Sequence, residues 1–281
     1  MRIYIMTDIE GVAGVLNFVE WCTPESRYYE LAKELLTCEV NAAIDGFMVA
    51  GATDIVVADG HGCGGINPLL LDERVELMRG WPTEWPLLLD DTYDAVAFVG
   101  QHAKAGTEYA HLAHTQDWIY LDLRVNGTSI GELGQFAMCS SELGVPVIFC
   151  SGDRALCQEA QALLPGIETV AVKRGTTPGR GDELDADSYS KRNTSAVHLH
   201  PERARAAIRA GAERAVRRAA QERFGLLPLV PPFELVIHFR ARGERPPTIA
   251  TVRHPSSVSA LMNMPLEPQP VSGAHSDAPR P

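Results

Sequence analysis

At 281 residues, 45% hydrophobic and 22% charged, the chain has the make-up of a soluble globular protein with room for a sizeable core. Its formal net charge of −11 argues against a phosphate-backbone binder, because nucleic-acid surfaces need a basic face. No apolar run approaches the roughly 20 residues of a membrane helix. The six cysteines form no CxxC pair, so reduced and mostly buried thiols are expected.

The chain opens directly on a β-rich apolar run, residues 2–7, with no signal or presequence before it, so a cytoplasmic location is expected. Residues 26–50 place Leu31, Leu35, Cys38, Ala42, Ile44 and Met48 near helical spacing and stop at Gly51. Strands are predicted at 54–58, at 75–78 and at 95–99. Asn126-Gly127 between residues 118–125 and 128–130 is a hairpin signal, because Asn-Gly suits a type I′ turn. A helix at 134–143, a strand at 145–150, a helix at 154–164 and a strand at 169–173 follow. Residues 175–195 read as a long loop, 201–224 as an Ala/Arg/Glu-rich helix, and 233–239 with 248–252 as strands. From about Pro265 the composition is that of a disordered tail.

Strands alternating with helices at this rhythm predict an α/β protein, with a mostly parallel central sheet flanked by helices and a smaller C-terminal α+β part. The expected division is 1–175 as the metal-binding catalytic domain, 176–262 as the smaller domain and 263–281 as the tail. In parallel sheets ligands bind beyond the carboxyl ends of the strands. Asp8 and Glu10 stand where the first strand runs out, two positions apart and therefore on one side. His61 follows the second strand in Asp-Gly-His-Gly-Cys-Gly-Gly, and His102 follows the strand Ala-Val-Ala-Phe-Val. Glu132 sits in Ile-Gly-Glu-Leu-Gly near a helix start. Each residue alone has an ordinary explanation as a turn, loop or helix-end residue. Together, two imidazoles and three carboxylates suit zinc, and a shared carboxylate lets two ions sit roughly 3.5–4 Å apart.

Other motifs carry less. The glycines at 60–65 fit neither the dinucleotide fingerprint nor the lysine-bearing phosphate loop. The acidic run from Gly181 lacks the glycine and terminal glutamate of a calcium loop and reads as solvated. The Arg-rich stretch 203–218 carries interspersed glutamates, which favours a solvent- or subunit-facing helix over a nucleic-acid patch. His111 and His114 are both candidates for a proton shuttle, and composition does not choose between them.

The landmarks Asp-Ile-Glu-Gly-Val-Ala-Gly at 8–14, Asp-Gly-His at 59–61, Gly-Gln-His-Ala-Lys-Ala at 100–105, Ala-His-Thr at 113–115 and Gly-Glu-Leu-Gly at 131–134 resemble, in order and interval, the bacterial zinc D-aminopeptidase family of the dipeptide-operon type. The strand 145–149 leading into Gly-Asp-Arg at 152–154 also fits. The resemblance is good over residues 1–175 and weak over 195–252. It implies that Asp8 bridges two zinc ions per subunit, with Glu10 and His61 completing one site and His102 and Glu132 the other. It implies His114 as the catalytic histidine and a homodecameric ring whose sites face an inner chamber. Two places depart from the family pattern: the loop 175–195 is longer, and a Pro-rich tail stands where an amphipathic helix should follow strand 248–252.

The expected function is therefore an aminopeptidase that removes N-terminal, D-configured residues from short peptides, using a hydroxide held by two zinc ions. Asp59, beside His61, is the candidate to orient that imidazole. The rival readings are another two-metal hydrolase, such as an amidohydrolase or phosphoesterase, and a non-catalytic metal- or peptide-binding protein.

Overall fold

The computed structural model describes residues 1–80 and 84–271. Along the chain run β1 (Arg2–Thr7), α1 (Phe18–Trp21), α2 (Tyr29–Val49), β2 (Asp54–Ala58), β3 (Glu76–Met78), β4 (Ala95–Gln101), β5 (Tyr120–Val125) and β6 (Thr128–Ser129). They continue as α3 (Glu132–Glu142), β7 (Val147–Asp153), α4 (Arg154–Leu163), β8 (Glu168–Gly175), α5 (Ala186–Tyr189) and β9 (Ala196–His198). The last elements are α6 (Pro201–Ala219), β10 (Phe233–Phe239), β11 (Thr248–His254), α7 (Val258–Met262) and β12 (Gln269–Pro270).

Seven strands form one sheet in the order β3-β2-β1-β4-β7-β8-β9. All its pairings are parallel except β8 with β9. Side chains alternate faces along β1. Ile3 and Ile5 enter a core shared with Leu36, Val40 and Ile44 of α2 and Ile208 and Ala212 of α6. Tyr4 and Met6 enter the opposite core with Phe136 and Ala137 of α3 and Ala155 and Leu156 of α4. A strand buried on both faces must be apolar throughout, which is why Arg2–Thr7 shows no polar alternation. The mostly parallel, helix-covered sheet read from the sequence is the one observed.

Within this sheet the chain runs outward from β1 to β2 and β3, then returns to β4 on the other side of β1. The order reverses between β1 and β4, and such a switch point leaves a crevice beyond the strands' carboxyl ends. Gly100 makes that crevice tight. It has a φ of 78°, and a Cβ there would strike the Asp8 carbonyl oxygen.

The second sheet, β12-β11-β10-β5-β6, is antiparallel. It buries alternate residues of β10 (Phe233, Leu235, Ile237 and Phe239) against Val258 and Leu261 of α7 and Met138 of α3. The Asn-Gly hairpin thus pairs with a strand more than 100 residues later, Leu235 opposite Val125. A cut between residues 175 and 176 parts β5 from β10, and it parts α6 from the central sheet that α6 covers. Such a cut follows sequence order, whereas the two sheets exchange segments.

Two expectations for the C-terminal region are corrected. A short helix does follow the strand, because α7 is capped by Ser257 and buries Val258 and Leu261. Residues 263–271 continue the fold rather than forming a tail. Gln269 and Pro270 pair with Ile249 and Thr248, and Asn263 brackets Trp85 by donating to its carbonyl and accepting from its N–H. Proline at a sheet edge needs no donor partner, so a Pro-rich stretch can still be ordered there. The rest of the expected tail, 272–281, lies outside the described residues. Inside the loop 175–195, Asp185 caps α5, and Arg240 lies 3.8 Å over the Tyr189 ring while donating to the Leu184 carbonyl.

Candidate metal centre

The five strand-end and helix-start residues converge at the switch point. Asp8 leaves β1, and its two oxygens look in different directions. Oδ1 lies 3.1 Å from His61 Nδ1, and Oδ2 lies 3.2 Å from His102 Nε2. Glu10 adds Oε2 at 3.3 Å from His61 Nδ1, while Glu132 adds Oε1 at 3.6 Å from His102 Nε2. Glu132 is the first residue of α3, two positions earlier than periodicity alone places the helix start. Its carboxylate accepts the Gln116 N–H at 2.7 Å. Asp8, Glu10, His61 and His102 are buried.

Each imidazole has one nitrogen committed and one aimed into the centre. His61 Nε2 is 2.7 Å from the Cys22 carbonyl, which leaves Nδ1 for the carboxylates. His102 Nδ1 is 3.0 Å from the Ala103 carbonyl, which leaves Nε2. A carbonyl requires an N–H, so both inward nitrogens are free acceptors whenever the rings are neutral. Burial opposes charge on His102, but Glu132 and Asp8 outweigh it and push the ring up to about 10. The same competition, with Glu10 and Asp8 on the winning side, raises His61 well above its ordinary value. Burial also opposes the Asp8 charge, and His102 and His61 overcome it, holding the carboxyl far below the usual range. A site whose field favours protons this strongly also favours a divalent cation.

The chain is similar to known proteins over most of its length. The family model described as D-aminopeptidase matches residues 1–245. The chain belongs to the D-aminopeptidase family. Among its relatives is the D-aminopeptidase of Bacillus subtilis (strain 168), 30% identical over 181 residues, an overlap of 62% of this chain and 64% of that protein. The chain thus spans somewhat less than two thirds of that relative. A solved structure of the Zn-dependent D-aminopeptidase DppA from Bacillus subtilis, described as a self-compartmentalizing protease, has the same fold, with a TM-score of 0.76. It is 22% identical, and the match covers 93% of this chain and 94% of that one.

In this member of the family two groups of residues can each offer ligand atoms lying within 4.8 Å of one another: Asp8, Glu10 and His61, and His102, His114 and Glu132. His114 therefore stands at the centre. Its ring stacks on His102 at 4.0 Å between centroids and on Trp118 at 4.4 Å. Its Nδ1 meets the Leu112 carbonyl at 2.8 Å, which leaves Nε2 bare. Burial, with help from the neighbouring His102, pushes its basicity down. His111 is placed elsewhere, with Nε2 on the Leu16 carbonyl at 3.0 Å, and it does not line the cleft.

Asp59 does not do what its position suggested. Its carboxylate accepts the Gly65 N–H at 2.6 Å and faces Arg79 at 3.9 Å, so it shapes the glycine loop and not the His61 ring. The Cys22 carbonyl orients that ring instead. Any residue has a carbonyl, so no sequence signal marks it. Lys173 was missed as well. Buried with burial lowering its ammonium to about 8, it donates to the carbonyls of Glu10, Val12 (3.0 Å) and Val15 (3.4 Å), fixing the loop that carries Glu10. Gln101 lay inside a recognised motif. Its Oε1 accepts the His102 N–H at 2.8 Å and its amide approaches Glu132 at 3.5 Å.

Proposed function

We propose that this chain is a zinc aminopeptidase that releases N-terminal D-residues from short peptides, with two ions per subunit. The observation that carries the reading is the divided carboxylate of Asp8, one oxygen toward His61 and the other toward His102. The donor set fits the metal. Glu10 Oε2 and His102 Nε2 are buried with no hydrogen-bond partner, a costly state for polar atoms that a cation would relieve. Nitrogen and carboxylate donors are zinc's ordinary ligands. Asp8 would be shared, Glu10 and His61 would complete one position, and His102 and Glu132 the other. When bound, the ions supply Lewis acidity that polarises a carbonyl and brings water toward ionisation at neutral pH.

The chain's own residues do the remainder. His114 Nε2 faces the cleft as an unprotonated base, able to take a proton and return it to the leaving amine. A free α-amine would be held beside the scissile carbonyl at the centre, which selects the end of a peptide over its middle. The Gln116 N–H and the Gln101 side chain hold Glu132 in place, and Lys173 holds the Glu10 loop. The family relationship supports the D-configuration and the amide substrate. It also supports assembly into a closed homo-oligomer, a decameric ring in the reading adopted here. Exposed apolar side chains such as Val19 (79%), Leu69 (91%) and Val230 (70%) are available for subunit contacts.

The experiment is a panel of D- and L-aminoacyl amides set against aryl phosphates, with chelated protein reloaded with zinc. Hydrolysis of D-aminoacyl amides that returns only with metal is expected. Turnover of phosphates alone, or metal bound with no turnover of any amide, would replace this function with one of its rivals.

A further inference from the structure

A cavity of about 280 Å³ adjoins the centre on the side of Asp8 and Glu132. Met6, Trp85, Leu87, Phe98 and Phe136 give it apolar walls beside the polar Thr7, Gln101 and Gln116, and a second cleft of about 360 Å³ holds His61, His114 and Asp117 together with Phe18 and Trp118. The volume lies just under the roughly 300–1,000 Å³ of pockets that take a whole small molecule, which is the scale of one residue. The walls are fixed. Phe136 meets Phe98 edge-on at 5.8 Å and Trp85 at 6.4 Å between ring centroids. The segment bearing Trp85 and Leu87 is tied down from two sides. Tyr4 donates its hydroxyl to the Leu87 carbonyl at 2.8 Å, and Asn263 makes both bonds to the Trp85 backbone at 2.8 Å.

We propose that this cavity receives the side chain of the substrate's N-terminal residue and selects apolar ones. The inference rests on the aminopeptidase reading above. In such an enzyme the free amine and the scissile carbonyl both belong to the first residue and must both reach the metal centre. A single Cα joins them, so that residue's side chain is the one delivered beside Asp8 and Glu132. The rest of the peptide leaves through the second cleft, past His114. Desolvating an apolar side chain in a preformed apolar pocket strengthens binding by roughly fourfold per methylene. Trp85 is then a specificity-determining residue, and Asn263, which touches no substrate, positions it.

The test uses zinc-loaded full-length protein and two D-dipeptide series, one varying the first residue before alanine and one varying the second after alanine. Leucine, methionine or phenylalanine in first position should exceed glycine in kcat/KM by at least about tenfold, and aspartate or lysine should not. Trp85→Ala should lower that apolar-to-glycine ratio about tenfold. Asn263→Ala should lower it in the same direction, with the circular-dichroism spectrum of each variant matching wild type. A flat first-position series with discrimination at the second residue would overturn the inference. Equal loss on every peptide in Trp85→Ala would also overturn it. Failure to cleave any dipeptide, glycine-first included, would overturn the peptidase reading itself and so is distinguishable.

Discussion

His114 is the residue whose role most needs separating from its neighbours, because its ring can be counted either as a ligand or as a proton carrier. With Nδ1 held by the Leu112 carbonyl and burial keeping the ring neutral, the account makes it the carrier. His114→Gln should cut kcat by about 10²–10⁴-fold with the metal content of each subunit unchanged. Loss of one ion per subunit in that variant would make it a ligand instead. Glu39 offers a second test, away from the metal. Its carboxyl is wholly buried, accepts the Ala13 N–H at 2.9 Å through Oε1, and leaves Oε2 unpartnered. Burial pushes it up from 4.5 to about 7. A raised acid keeps its proton in the folded state, so its contribution is complete below about pH 4.5 and is lost as pH rises through about 7. Glu39→Gln should therefore gain stability over wild type between pH 5 and pH 8, by at most about 3 kcal/mol. A pH-independent difference in denaturation midpoints would contradict it.

Elements are held by contacts of different reach, and that decides which of them the sequence reveals. β1, β2 and β4 are apolar runs ending in Asp8, His61 and His102, so both the strand and its chemistry are local. The four-residue helices α1 and α5 are too short for a periodicity to register. The pairing of β5 with β10 depends on a register set across more than 100 residues, which no window contains. β12 was hidden by Pro268 and Pro270, since proline rules out central strands but not edges. The α2–α6 contact is decided at Gly46, where a Cβ would meet the Arg209 carbonyl oxygen and the Ala212 methyl. Gly46→Val must part the two helices and should cost about 3 kcal/mol, lowering the melting midpoint by roughly 5–10 °C. An unchanged midpoint would show that the helices do not need this close approach.

At the scale of the molecule, the parallel sheet brings the ends of β1, β2 and β4 together with the start of α3, and the antiparallel sheet closes around α7 to brace the Trp85 segment through Asn263. The five residues proposed as metal ligands were legible because each falls at an element boundary within a short motif. The Cys22 carbonyl and the Lys173 ammonium were not, because each acts through backbone brought near by folding. The ring-forming reading predicts that sedimentation will give a mass several times the 30.6 kDa chain, and a monomer at micromolar concentration would contradict it.

The central claim is that one carboxylate joins two cations in a working centre, and metal analysis of Asp8→Asn beside wild type tests it most directly. Wild type should hold two zinc ions per chain and hydrolyse a D-aminoacyl amide. Asp8→Asn, folded by circular dichroism, should lose most of its zinc and nearly all of that activity. A variant that keeps both ions would show that the two sites do not depend on Asp8, and the account would be wrong at its core.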